Sequence, residues 1–266
     1  MNARERFETK VPPALAIESL EGKVSAEEWQ TRVDLAATYR LVAMYGWDDM
    51  IFTHISARVP GPDHHFLINP YGLLFEEITA SSLVKIDVDG NKVGDSPYPV
   101  NPAGFTIHSA LHMNRDDAHC VIHLHTDDGV AVSAQADGLL PLDQHAMIIG
   151  GDIAYHDYEG IALDLDERDR LVADIGDKNA MMLRNHGTLA LGKTCADAFM
   201  RMFWLERACS MQVRALAGGA TPNWPNQGVP EKTAMQGKGA FNGMVGALAW
   251  PALRRKCDRV DPSYKN

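Results

Sequence analysis

Three features of the chain predict an α/β fold: an apolar strand carrying two histidines, a capped amphipathic helix, and short strand-like runs alternating with helical segments. The strand is Cys120-Val121-Ile122-His123-Leu124-His125. Residues two apart on a strand share a face, so His123 and His125 point the same way. Their apolar neighbours predict burial, and burying two imidazoles without partners is costly. The helix opens at Ser25, with Glu28 completing a capping box. Val33, Ala36, Ala37, Leu41 and Met44 then fall on one face, and Gly46 supplies the stop.

The remaining elements follow in order. Residues 1–24 hold Pro12-Pro13 and charge without period, and read as an N-terminal arm. After the first helix come strands near 51–59, 65–69 and 83–88, with Asp89-Gly90 as a turn. Pro97-Tyr98-Pro99 and Asn101-Pro102 introduce a helix through His108 and Leu111. Beyond the histidine strand, helices are expected near 127–135 and 166–175, strands near 152–155 and 180–184, and a long helix from 195 to 217. Gly218-Gly219 ends that helix, so residues 25–219 form the expected domain. Residues 220–266, rich in Gly, Pro and Asn, are predicted to be an irregular C-terminal extension.

Composition narrows the function classes. The chain has 266 residues, 45% apolar and 23% charged, as in ordinary globular domains. A net charge of -10 argues against nucleic acid or an anionic membrane as partner. Cys120, Cys195, Cys209 and Cys257 form no CxxC pair and read as reduced thiols. No stretch approaches the roughly 18 apolar residues of a membrane span, and no signal-like apolar region opens the chain. A cytoplasmic location is the expectation.

A third histidine follows another strand-like run, in Met181-Met182-Leu183-Arg184-Asn185-His186-Gly187. Gly187 would let the backbone turn and pass close to a ligand. Three neutral imidazoles, His123, His125 and His186, suit one divalent metal ion with open coordination positions. Zinc, manganese and iron all fit such a set. The alternative is two core histidines and an unrelated turn histidine.

Several segments, in order, resemble the class II aldolase/adducin family. They are Phe52-Thr53-His54-Ile55-Ser56-Ala57-Arg58, Asn69-Pro70-Tyr71-Gly72-Leu73-Leu74, the run from Ile78 to Asp87, Ala103-Gly104-Phe105-Thr106-Ile107-His108, and both histidine segments. The resemblance covers about residues 30 to 216 and is nearest to an adducin-like bacterial branch. It implies a three-layer α/β/α sandwich with a central, mostly antiparallel sheet, and a metal held by the three histidines. It also implies a homo-oligomer, most simply a tetramer, with sites near subunit boundaries.

The departures from that family carry information of their own. Where the aldolases place an acid/base carboxylate, this chain has Gly104. Where they hold a substrate phosphate, it has Thr53-His54, Tyr71-Gly72 and Pro102-Ala103. Loss of those donors should disable phosphate capture. A tyrosine that serves the aldolases across their subunit interface is also missing, with Ala146 following His145.

These readings point to a metal-dependent lyase that decarboxylates or cleaves a non-phosphorylated oxo or hydroxy organic acid. The alternatives are a three-histidine Fe(II) oxygenase acting on an aromatic oxo acid and a non-catalytic adducin-like interaction protein. Candidate pocket residues are His54, Tyr71, Gly72, Gly104, Arg58 and Asn185. Arg58 also suits a structural charge at a strand end. His108 and His112, one helical turn apart, read as a polar face supporting the site.

Overall fold

Ser25 opens the first helix, α1 (Ala26–Met44), accepting from the Glu28 amide at 3.1 Å. Glu28 does not complete the box. Its carboxylate turns inward to Arg32 at 2.9 Å and Lys85 at 2.8 Å, tying α1 to the sheet. The computed structural model describes residues 17–161, 165–240 and 243–266. The expected N-terminal arm lies outside the described residues as far as residue 16.

Among the described residues, seven strands form one sheet: β1 (His54–Arg58), β2 (Phe66–Ile68), β3 (Val84–Ile86), β4 (Cys120–Leu124), β5 (Ile153–His156), β6 (Ala180–Leu183) and β7 (Gly187–Gly192). Their spatial order is β3-β2-β1-β4-β7-β6-β5, antiparallel throughout except for the β5–β6 pair. Helices cover both faces, giving the expected α/β/α sandwich. On one face lie α2 (Pro102–Asn114) and α5 (Glu167–Ile175), packed over Val121, Met181 and Leu189. On the other lie α1, α6 (Cys195–Leu216) and α8 (Met244–Val260), over Ile122, Leu124 and Ala190. The short helices α3 (Asp127–Ser133) and α4 (Gln144–Ile149) flank α6, and α7 (Val229–Ala240) packs on α4. Period-two alternation along β4 thus assigns His123 to the face that α2 covers.

Three expectations need correction. The strand expected from 51 begins only at His54, because Met50 (φ 49°) and Thr53 (φ 63°) are left-handed and form a turn instead. Strand β7 was not anticipated. Its Gly-Thr-Leu-Ala-Leu-Gly run is framed by glycines, yet it is buried along its length between β4 and β6. A Cβ at Gly187 would strike the Leu124 carbonyl oxygen, so this glycine serves strand-to-strand packing rather than approach to a ligand. The turn itself falls to Asn185, at φ 57°.

The C-terminal segment expected to be irregular contains α7 and α8. Pro251 inside α8 and the many glycines hide its pattern, but tertiary anchors hold it. Trp250 and Arg254 both donate to Asp34 of α1, and Tyr264 is fully buried. No described helix is long and apolar enough to cross a membrane.

Candidate metal centre

Strand pairing brings the site together. β4 delivers His123 and the residue after its end, His125, while the β6–β7 turn delivers His186. The three rings converge, with centroids 4.7 Å apart for His123–His125, 4.7 Å for His123–His186 and 4.8 Å for His125–His186. One nitrogen from each lies within 4.8 Å of the others, a group capable of holding a divalent ion.

The hydrogen bonds fix which nitrogens face inward. His123 Nδ1 lies 3.0 Å from the Thr188 carbonyl oxygen, which can only accept, so Nδ1 carries the proton and Nε2 is bare. His125 Nδ1 lies 3.1 Å from Asp49 Oδ2 and donates in the same way. In the neutral rings the two bare Nε2 atoms then stand 3.0 Å apart with no proton between them. Facing lone pairs repel, and a cation between them removes the repulsion. Two ligands about 2.1 Å from one ion subtend roughly 3.0 Å at a right angle, so the spacing fits a shared ion. Burial and the neighbouring imidazoles hold His123 well below the usual histidine range. Burial, then His125 and His156, bring His186 down to about 4. Both are therefore neutral at pH 7, the form in which an imidazole can bind a cation.

A second histidine group lies beside this one. His54 opposes His123 in the β1–β4 register, with ring centroids 5.2 Å apart. From α2, residues four apart (Gly104, His108 and His112) line up along β1. His54 Nδ1 lies 2.8 Å from His108 Nε2. Ser56 Oγ lies 2.5 Å from His108 Nδ1 and 2.6 Å from His112 Nε2. His112 Nδ1 lies 2.6 Å from the Ala118 carbonyl oxygen. All four side chains are buried. Burial holds His54 and His108 far below the usual range and His112 at about 3.

The other pocket candidates divide. Gly104 faces the His54 ring: a Cβ there would come within 2.6 Å of its Cδ2. Arg58 is not at this end of the sheet. It sits at the far end of β1 and donates to the His112 and Arg115 carbonyl oxygens, closing the C-terminal end of α2. Asn185 is exposed and lines a surface cavity with Tyr158 and Arg184. Arg184 donates to the Gln135 carbonyl at 2.7 Å and lies over the Tyr155 ring. Tyr71 and Gly72 occupy the loop after β2, where the Tyr71 amide donates to the Pro99 carbonyl at 2.9 Å. The side chains of Pro102 and Ala103 lie outside the described residues.

Two features had no sequence signal. Glu206 of α6 is buried behind the centre, where it accepts from the Thr126 and Thr188 hydroxyls. Burial pushes its carboxyl up to about 7. It steadies Thr188, whose carbonyl orients His123. The second feature is Thr53, left-handed and β-branched, with a buried hydroxyl that has no partner among the described residues. Such strain is tolerated where the surroundings enforce it.

Comparison with known proteins agrees with this architecture. The family model "Class II Aldolase and Adducin N-terminal domain" matches residues 33–213. A relative from Caulobacter vibrioides, provisionally named an aldolase class 2 protein, is 61% identical over 94% of this chain and 98% of its own. Mouse alpha-adducin is 46% identical over 72% of this chain, which spans only 26% of that longer protein. Among solved structures, an aldolase II superfamily protein from Pseudomonas syringae superposes with a TM-score of 0.88 at 52% identity, covering 94% of this chain and 100% of that one. An L-fuculose 1-phosphate aldolase from Glaciozyma antarctica gives 0.77 at 26% identity, covering 96% and 97%. The chain belongs to the class II aldolase and adducin family.

Proposed function

We propose that this protein is a divalent-metal-dependent lyase that breaks a carbon–carbon bond in a non-phosphorylated oxo or hydroxy organic acid. The observation that carries the reading is the pair of bare Nε2 atoms of His123 and His125, 3.0 Å apart and joined by His186. When bound, a divalent ion supplies Lewis-acid polarisation of a substrate carbonyl and compensates negative charge. The chain does the rest. Thr188 and Asp49 hold the ligand rings, and buried His54 and Gly104 form one wall.

The chemistry of the wall supports a substrate without phosphate. Arg58 lies at the far end of β1 and Arg184 is held by the Gln135 carbonyl, while Arg207 and Arg214 line the cavity beside His125 and suit a carboxylate. A phosphate would also need the hydroxyl and amide donors that the aldolases carry and this chain replaces. A homotetramer with sites near subunit boundaries remains part of the proposal. Light scattering at micromolar concentration should report a mass well above the 29.2 kDa of one chain.

The test is a panel of 2-oxo and hydroxy acids, aliphatic and aromatic, given to metal-loaded protein with and without oxygen. Oxygen-independent release of carbon dioxide or an aldehyde supports the lyase, and no turnover of a sugar-phosphate panel is expected. Three imidazoles without a carboxylate ligand also suit Fe(II) oxygen chemistry, so strict dependence on oxygen and iron would replace the lyase by an oxygenase. Consumption of no acid at all would favour an adducin-like interaction role.

A further inference from the structure

The three converging imidazoles are not held alike. His123 and His125 each donate from the outer nitrogen to a fixed acceptor, the Thr188 carbonyl oxygen and Asp49. The His186 ring has no hydrogen-bond partner among the described residues, and its printed neighbours are other rings. A histidine that holds a metal ordinarily has its outer N–H tied down, which sets the angle of the ring. The backbone fixes only where the His186 side chain starts. Its amide donates to the Leu183 carbonyl at 3.1 Å, and the following Gly187 is packed against the Leu124 carbonyl. Two side-chain torsions remain, and no hydrogen bond within the described chain selects among their rotamers.

Tyr158 stands where that restraint is missing. Strands β5 and β6 run parallel, with His156 beside Leu183, and the Arg184 amide extends the pairing by donating to the His156 carbonyl at 2.8 Å. The two strands therefore end together, and the segment leaving β5 runs beside the turn that bears His186. The Tyr158 ring meets the His186 ring at 5.8 Å between centroids and 66° between planes. An edge-to-face pair keeps its angle through the ring quadrupoles and needs no hydrogen bond. Among the described residues, His186 is the ring that Tyr158 touches. Tyr155 of β5 is placed differently: its hydroxyl accepts from the Leu139 amide at 3.1 Å, and Arg184 lies over its ring.

We propose that Tyr158 is a positioning residue of the metal centre, its ring orienting His186 in place of the outer hydrogen bond that His123 and His125 have. The assignment rests on the three-histidine site and goes beyond the ligand set by naming what aims the third ligand. The contact is made by the ring, so the phenol hydroxyl is dispensable. Tyr158 is also 52% exposed and lines the surface cavity of about 420 Å³ with Asn185 and Arg184. Its removal therefore widens a cavity already open to water and leaves the core filled.

Two measurements on the full-length chain test the assignment without a substrate. In calorimetric titration of chelator-stripped protein with Zn²⁺, Tyr158→Ala should bind about three- to tenfold more weakly, while Tyr158→Phe should stay within about twofold of the wild-type protein. The three metal-free proteins should melt together. In metal-free protein with ring-labelled histidines, NMR should show Tyr158→Ala moving the His186 ring signals, with His123 and His125 still protonated on Nδ1 and unshifted. Tyr158→Phe should restore the wild-type His186 signals. Equal zinc affinity in Tyr158→Ala and the wild-type protein, or unmoved His186 signals, would overturn the proposal. A loss in Tyr158→Phe as large as in Tyr158→Ala would place the effect on the hydroxyl and overturn it as well. Absence of zinc from the wild-type protein would overturn the three-histidine site together with this assignment, whereas zinc bound equally by wild type and Tyr158→Ala would overturn the assignment alone.

Discussion

Two groups of histidines sit side by side on the same face of the sheet, and their hydrogen bonding differs in kind. In the group of His54, His108 and His112, every contact pairs a donor with an acceptor, and the order runs to a backbone carbonyl. In the group of His123, His125 and His186, the outer nitrogens of His123 and His125 are anchored while their two inner lone pairs face each other. The contacts of the first group need no ion. Those of the second suit one divalent cation. The residue type is the same in both, and although His125 and His186 are only half-buried, the direction of the outer hydrogen bonds sets the two groups apart.

The largest effect expected from breaking this contrast is at His123. His123→Ala should lose its stoichiometric zinc, whereas His112→Ala should retain it, as elemental analysis of the two purified variants would show. Equal zinc in both would erase the distinction between the groups.

Glu206 offers the next largest effect, through pH. Its folded-state value of about 7 lies above the ordinary 4.5, so the neutral carboxyl is favoured by the fold. The stabilisation is full below about pH 4.5 and is lost as pH rises through about 7, a difference of about 3 kcal/mol. Glu206→Gln should therefore gain on the wild-type protein in melting temperature between pH 4 and pH 8. Parallel melting curves would show that the carboxyl titrates normally.

Ser56→Ala should cost about 1–3 kcal/mol in denaturant unfolding, because it strands the His112 Nε2 and the His108 Nδ1–H. Its zinc affinity should stay at the wild-type level, since the chained group does not hold the ion. The smallest effect is expected at Asp49, which holds His125 Nδ1 but is 40% exposed on its side chain. Asp49→Asn should weaken zinc by about 10-fold, the low end for a residue that orients a ligand. A loss as large as that of His123→Ala would make Asp49 itself a ligand.

Much of this was legible in the sequence because local periodicity decided it. The two-residue repeat of β4 put His123 and His125 on one face, and Ser25 marked the start of α1. The helix at Pro102 carried His108 and His112 one turn apart, and its spacing pointed to a supporting face. What periodicity could not give was the pairing across elements. That Gly104 and His54 share one space depends on how α2 lies on β1, and Glu206 reaches Thr126 across a gap of 80 residues. Arg58 was ambiguous for the same reason: only the position of the α2 terminus makes it a helix cap. Strand β7 is not legible in the sequence because its framing glycines, needed for close packing, also resemble turn signals.

The central claim is that the three converging imidazoles hold one divalent ion. Calorimetric titration of chelator-stripped full-length protein with Zn²⁺ tests it most directly, alongside His123→Ala and His54→Gln. One ion per chain is expected in the wild-type protein and in His54→Gln, with binding abolished in His123→Ala. Absence of binding to the wild-type protein, or unchanged binding in His123→Ala, would contradict it.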